Sequence, residues 1–293
     1  MSEKFVTVSG LKTRYVEEGS GPATIVLIHG GALTDPGYCP SATVWEHNIA
    51  GLSKNARVLA YDAPGHGGSE APKEDQDYSY DGLVRHARGF LDATGVKKAH
   101  LVGHDEGAMI ALRLAFEAPE QVASLTIVAS PAIAPAGDAD INFALMGRPY
   151  PLYSEVSQRW LLSRTSYTDH HLRAGRWMEE AAKAAQSDAF RALRAKLTEG
   201  KLGAQVKASL AKLKANNYVR FRETGVSVPT LMVWGNDDPL SPVPFAVSLF
   251  EIVSAKQPLT QIRILNQAGS MPFREQAPAF DAAVGSFVRA LGT

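Results

Sequence analysis

The residues best placed to do chemistry fall in one stretch, Gly103-His104-Asp105-Glu106-Gly107. The apolar run from Ala99 precedes it and a helical pattern to Leu112 follows, so the stretch reads as strand, sharp turn, helix. A glycine-flanked turn of this kind strains the backbone at its middle residue. It lifts that side chain clear and aims the next amide at a bound molecule. The lifted residue is Asp105, whose carboxylate can act as a nucleophile or carry a proton. A serine more usually occupies such a place.

A second glycine turn lies upstream. Thr24 to Ile28 is a continuous β-branched and apolar run, as expected of a strand buried on both faces, and it runs into His29-Gly30-Gly31-Ala32. Amides near Gly31 or Ala32, together with that of Glu106, are the expected donors of an oxyanion hole. His29 is a candidate for contact with substrate, although a histidine ahead of such a turn more often packs and holds the loop.

The elements that must position these residues follow from periodicity and punctuation. Lys4 to Ser9 and Leu11 to Glu17 read as a strand pair, Trp45 to Leu52 as a short helix and Arg57 to Tyr61 as a buried strand. Tyr80 to Thr94 reads as an amphipathic helix, stopped by Gly95, and Val122 to Ala129 as another buried strand. This alternation predicts an α/β fold with a mostly parallel, doubly wound sheet. From Pro131 to about Thr224 the strands stop. Helical patterns begin near Ser154, Thr168, Ser187 and Gly203, and an insertion of this kind between core strands behaves as a lid. The expected division is therefore a core of residues 1–130 and 225–293 with a helical lid at 131–224. Strands resume at Val228 to Trp234 and Gln261 to Leu265, and a helix at Ala279 to Leu291 follows.

Composition narrows the function classes. Thirty Lys and Arg against thirty Asp and Glu give a formal net charge of zero, which argues against nucleic acid or an anionic membrane as partner. No apolar run approaches the ~20 residues of a membrane span, and the first residues lack a basic segment followed by an apolar one, so the expectation is a cytoplasmic protein. The one cysteine, Cys39, excludes an internal disulfide and a cysteine-rich metal site. No metal and no cofactor enters this reading, and a homodimer is left open.

With these landmarks placed, the chain resembles an α/β-hydrolase over essentially its whole length. Within that superfamily it most resembles the meta-cleavage product hydrolases, which split a carbon–carbon bond in a vinylogous 1,5-diketo acid. The matching segments are Ile28-His29-Gly30-Gly31, Asp62-x-Pro64-Gly65, Ala99-His100-Leu101-Val102-Gly103, Trp234-Gly235-x-Asp237-Asp238 and the lid run from Tyr167-Thr168-Asp169 to Gly175-Arg176-Trp177. The resemblance implies that Arg176, beside Trp177, holds a substrate carboxylate, a task that suits its fork of donors. It also implies that Asp238 is the acid after the seventh strand. Where that family has a nucleophilic serine this chain has Asp105, and where it has the catalytic histidine this chain has Ser270. An aspartate at the elbow resembles haloalkane and haloacetate dehalogenases and epoxide hydrolases, which form an ester on it. Glu106, however, stands where dehalogenases help bind a halide, and a carboxylate would repel a leaving anion.

The eight histidines are His29, His47, His66, His86, His100, His104, His170 and His171, and none follows position 171. A base on the loop after the last strand is therefore missing. Three readings remain open on the sequence. In the first, Asp105 is an acid or base acting on an enolisable, carboxylate-bearing keto acid. In the second, it is a covalent nucleophile with the histidine lost to Ser270. In the third, the protein is a ligand receptor without turnover. Each places Asp105, Asp238 and Ser270 together at the strand C-termini.

Overall fold

The computed structural model describes residues 2–135, 147–198 and 201–292. The part of the 131–224 segment at 136–146 and 199–200 lies outside them. Among the described residues eight strands form one sheet in the order β1-β2-β4-β3-β5-β6-β7-β8. β1 (Ser2–Val8) and β2 (Leu11–Glu18) form an antiparallel hairpin, and β2 also pairs antiparallel with β4 (Ala56–Tyr61). β3 (Ala23–Ile28), β4, β5 (Ala99–His104), β6 (Val122–Val128), β7 (Thr230–Gly235) and β8 (Thr260–Leu265) run parallel. The chain passes from β3 to β4 on one side and then crosses to β5 on the other. Such a reversal generates the crevice beyond the strand C-termini in folds of this kind, and here the loops that carry Gly30 and Asp105 meet at it.

Burial explains the apolar runs. All six residues of β5 and of β7 are buried, whereas edge strand β8 has none. The faces are covered by α1 (Glu46–Leu52), α2 (Tyr80–Ala93), α3 (Glu106–Glu117), α8 (Val243–Ser254) and α10 (Ala277–Ala290), with a short α9 (Pro272–Glu275) after β8. The Ser79 hydroxyl caps α2 by accepting from the Gly82 N–H.

Between β6 and β7 lie α4 (Glu155–Thr165), α5 (Trp177–Ala184), α6 (Asp188–Thr198) and α7 (Lys201–Glu223). α4 begins next to Ser154 as expected, with the Ser154 hydroxyl accepting from the Ser157 N–H, and the Ser187 hydroxyl accepts from the Phe190 N–H at the start of α6. The helix expected from Thr168 starts nine residues later, at Trp177. Thr168 spends its hydroxyl on His170, and Gly175 takes a left-handed φ of +84° that no helix continues through. No helix of the described residues is long and apolar enough to cross a membrane.

Candidate active site

The elbow is built by what cannot fit. A Cβ on Gly103 would lie 2.3 Å from the Gly107 carbonyl oxygen, and one on Gly107 would lie 2.2 Å from that of Ile28. β5 can therefore turn into α3 against β3 only with glycine at both places. Asp105 between them is held at φ +51°, the strained lift anticipated for a nucleophile-type elbow. Its own N–H donates to the Val128 carbonyl at 3.1 Å, and its carbonyl accepts from the Ser130 hydroxyl at 2.8 Å. Across the crevice, Gly30 is required too: a Cβ there would meet Asp105 Cβ at 2.8 Å and Oδ2 at 3.2 Å.

Glu106 does something the sequence did not foretell. Its buried carboxyl reaches back to the loop after β3 and accepts from the N–H groups of Leu33 at 3.1 Å and Thr34 at 3.2 Å. The Tyr80 hydroxyl donates to it from the first residue of α2. Three donors thus converge on it, and two loop amides are committed to protein rather than to a ligand. Of the expected oxyanion donors, the Glu106 amide faces the Asp105 carboxyl itself, whereas Gly31 and Ala32 sit in the turn, Gly31 at φ +71°. Burial, then the Glu106 charge and Asp238, raise the Asp105 pKa well above the carboxylate range, with the Glu106 amide opposing.

Asp238 is 4% exposed, and burial pushes its pKa up to about 7. One oxygen accepts from the Leu240 N–H at 2.8 Å and the Ser241 N–H at 3.1 Å, while Oδ2 is buried with no partner. Ser270 is buried at the same end of the sheet, and its carbonyl accepts from His104 Nε2 at 2.9 Å, which ties the loop after β8 to the residue before Asp105. His104 packs against Phe273, and burial drops its pKa to about 4.

His29 is not a substrate contact. It is 2% exposed, its Nδ1 donates to the Gly30 carbonyl at 2.9 Å, and its Nε2 accepts from the Ala63 N–H at 3.0 Å. Both ring nitrogens are used to fix the turn, and burial lowers its pKa.

Arg176 departs furthest from expectation. Its side chain is 60% exposed, 3.7 Å from Glu180 on the outside of α5. The Gly-Arg-Trp motif works here through its backbone: the Glu46 carboxylate of α1 accepts from the Arg176 N–H at 2.9 Å and the Trp177 N–H at 3.3 Å, capping α5 from the core. A Cβ on Gly175 would lie 2.3 Å from that carboxylate, so glycine makes the space. Trp177 is fully buried, between Tyr38 and the Arg274 guanidinium 4.4 Å over its ring, and is packing rather than a ligand contact.

The loop after β8 supplies straps in place of a base. The Ser270 N–H donates to the Thr165 carbonyl at 2.8 Å. The buried Glu275 carboxyl accepts from Gly269 at 2.9 Å and Tyr167 at 2.7 Å, and burial pushes its pKa up to about 7. Arg274 donates to the carbonyls of Val44 at 2.7 Å and His171 at 3.1 Å and pairs with Glu46 at 3.0 Å. Nothing in the sequence marked Arg274, because the partners that bury it lie over a hundred positions away.

A profile of the α/β-hydrolase fold matches residues 23–253. The chain belongs to the α/β-hydrolase fold family. This α/β-hydrolase is 26% identical over 305 residues to the 2-hydroxy-6-oxo-6-phenylhexa-2,4-dienoate hydrolase of Comamonas testosteroni, covering 99% of this chain and 94% of that protein. It is 31% identical over 156 residues to bifunctional epoxide hydrolase 2 of Mus musculus, covering 53% of this chain and about a quarter (26%) of that protein. Its fold matches a meta-cleavage product hydrolase from Pseudomonas fluorescens IP01 with a TM-score of 0.78 at 23% identity, over 98% of this chain and 97% of the other.

Proposed function

We propose that this α/β-hydrolase is a cofactor-free enzyme in which Asp105 is the general acid and base on a small enolisable keto compound. The reaction is a carbon–carbon cleavage, tautomerisation or related lyase step under a lid formed by residues 131–224. The observation that carries this reading is the setting of Asp105: burial and the carboxyls of Glu106 and Asp238 make it hold a proton at pH values where an ordinary aspartate has lost it. It can then give that proton to an enol carbon and take one back. In this reading the amides of Gly31 and Ala32 face the oxygen where charge builds, the free Oδ2 of Asp238 accepts from a donor on the substrate, and the Ser270 hydroxyl orients it. With its side chain 60% exposed beside Glu180, Arg176 is given no part in this reading.

A covalent ester on Asp105, as in the epoxide-hydrolase reading, is favoured by the elbow geometry at φ +51°. A raised pKa works against it, since the nucleophile must be ionised, and no imidazole stands on the loop after β8 to activate water. The test is hydrogen–deuterium exchange at the α-carbon of a vinylogous 1,5-diketo acid in D2O, followed by NMR. The parent should catalyse exchange, and Asp105→Asn should slow it by ~10²–10⁴-fold with binding retained. Equal exchange by the variant sinks the acid–base role. An adduct in intact-mass spectra of the parent selects the covalent mechanism instead.

A further inference from the structure

A cleft between residues 151–154 and α6 carries chemistry that none of the catalytic candidates uses. It encloses about 420 Å³, with Pro151, Leu152, Tyr153 and Phe190 as walls and Arg191 and Arg194 as charges. Tyr153 and Phe190 meet edge to face at 5.1 Å. No carboxylate lines the cleft among the described residues. Outside the lining, Asp35 accepts from the Tyr153 hydroxyl at 2.6 Å and the Gly37 N–H at 2.8 Å, pairs with Arg148 at 3.4 Å, and feels the Arg194 charge as well.

Arg194 is the decisive residue. It is 8% exposed, its guanidinium lies 5.8 Å from the centre of the Tyr153 ring, and Nη1 donates to the Thr34 carbonyl at 2.9 Å. Its Nε is buried with no partner. A guanidinium on the wall of a cleft lined by no carboxylate suits a planar anion, and the rings beside it suit an apolar body. We propose that this cleft binds an apolar monocarboxylic acid, its carboxylate on Arg194 and Arg191 and its hydrocarbon part against Phe190, Tyr153 and Leu152. The site borders the catalytic loop directly: Arg194 holds the carbonyl of Thr34, whose N–H holds Glu106.

Calorimetric titration of the whole protein with benzoate, and with benzyl alcohol as the neutral control, tests this without requiring turnover. Benzoate should bind at least roughly tenfold more tightly than the alcohol. Arg191→Met, which removes a charge, and Ala195→Trp, which fills the cleft from exposed α6, should each weaken benzoate by roughly tenfold. Asp105→Asn should leave benzoate affinity unchanged. Arg194→Met should abolish binding, but it also frees the Thr34 carbonyl, so the other two variants keep the test decisive if this one fails to fold. Equal affinity for acid and alcohol, unchanged affinity in Arg191→Met and Ala195→Trp, or loss of benzoate in Asp105→Asn would each overturn the site.

Discussion

The turn after β5 and the loop after β8 stand at the same end of the sheet and are built by opposite means. The first is local: two glycines, one strained aspartate and a helix start within five residues deliver a reagent to the crevice. The second is held by distant partners. Ser270 uses its N–H on Thr165 and its carbonyl on His104, Glu275 gathers the amides of Gly269 and Tyr167, and Arg274 ties α9 to Glu46 and His171. A loop strapped this way holds the inserted helices against the core. Ser270, at the position where the sequence resemblance expects a base, has both backbone groups committed to that fastening.

The contrast breaks most visibly at Arg274. Arg274→Met should destabilise the fold by ~3–5 kcal/mol, because it leaves the buried Glu46 carboxylate without its cation, and chemical denaturation reads the loss. A change under about 1 kcal/mol would mean that the loop is not held from afar.

Gly107→Ala attacks the other side. Its Cβ would sit 2.2 Å from the Ile28 carbonyl oxygen and 2.7 Å from that of His29, so a cost of about 3 kcal/mol is expected, with displacement of Asp105. Denaturation midpoints, together with a crystal structure of the variant, show whether the damage stays at the elbow as the local picture requires.

Glu275 sharpens the comparison through pH. Its folded pKa is about 7 against an ordinary 4.5, so the native chain binds this proton more tightly than the unfolded one. The stability it lends is complete below pH 4.5 and is lost as pH rises towards 7. Glutamine does not titrate. Relative to the parent, Glu275→Gln should therefore gain about 2–3 kcal/mol between pH 4.5 and 8. A stability difference that stays flat across this window would show that the buried carboxyl is not the strained element of the strap.

The smallest effect belongs to Arg176. Its exposed guanidinium predicts that Arg176→Ala changes stability by less than about 0.5 kcal/mol, since Glu46 binds its backbone N–H and alanine keeps that group. A tenfold loss of substrate affinity in this variant would return the side chain to the pocket.

Sequence alone determined the elements whose cause is local. Buried runs became β3, β5 and β7, glycine at 103 and 107 announced the elbow, and Ser154 and Ser187 marked helix starts, because burial period, steric room and cap chemistry act within a few residues. α8 was not among the elements read from the sequence; there Val, Phe, Leu and Ile outnumber the polar Ser248, Glu251 and Ser254. Only the tertiary structure decided what Glu106, Glu46, Arg274 and Glu275 do. Their charges are satisfied by amides and cations that the fold brings from far along the chain, as Glu46 meets Arg274 across 228 positions. For the same reason the structure turned Arg176 outward and made His29 a brace: a side chain's role follows from the partners that the fold sets around it, and spacing along the chain carries no record of them.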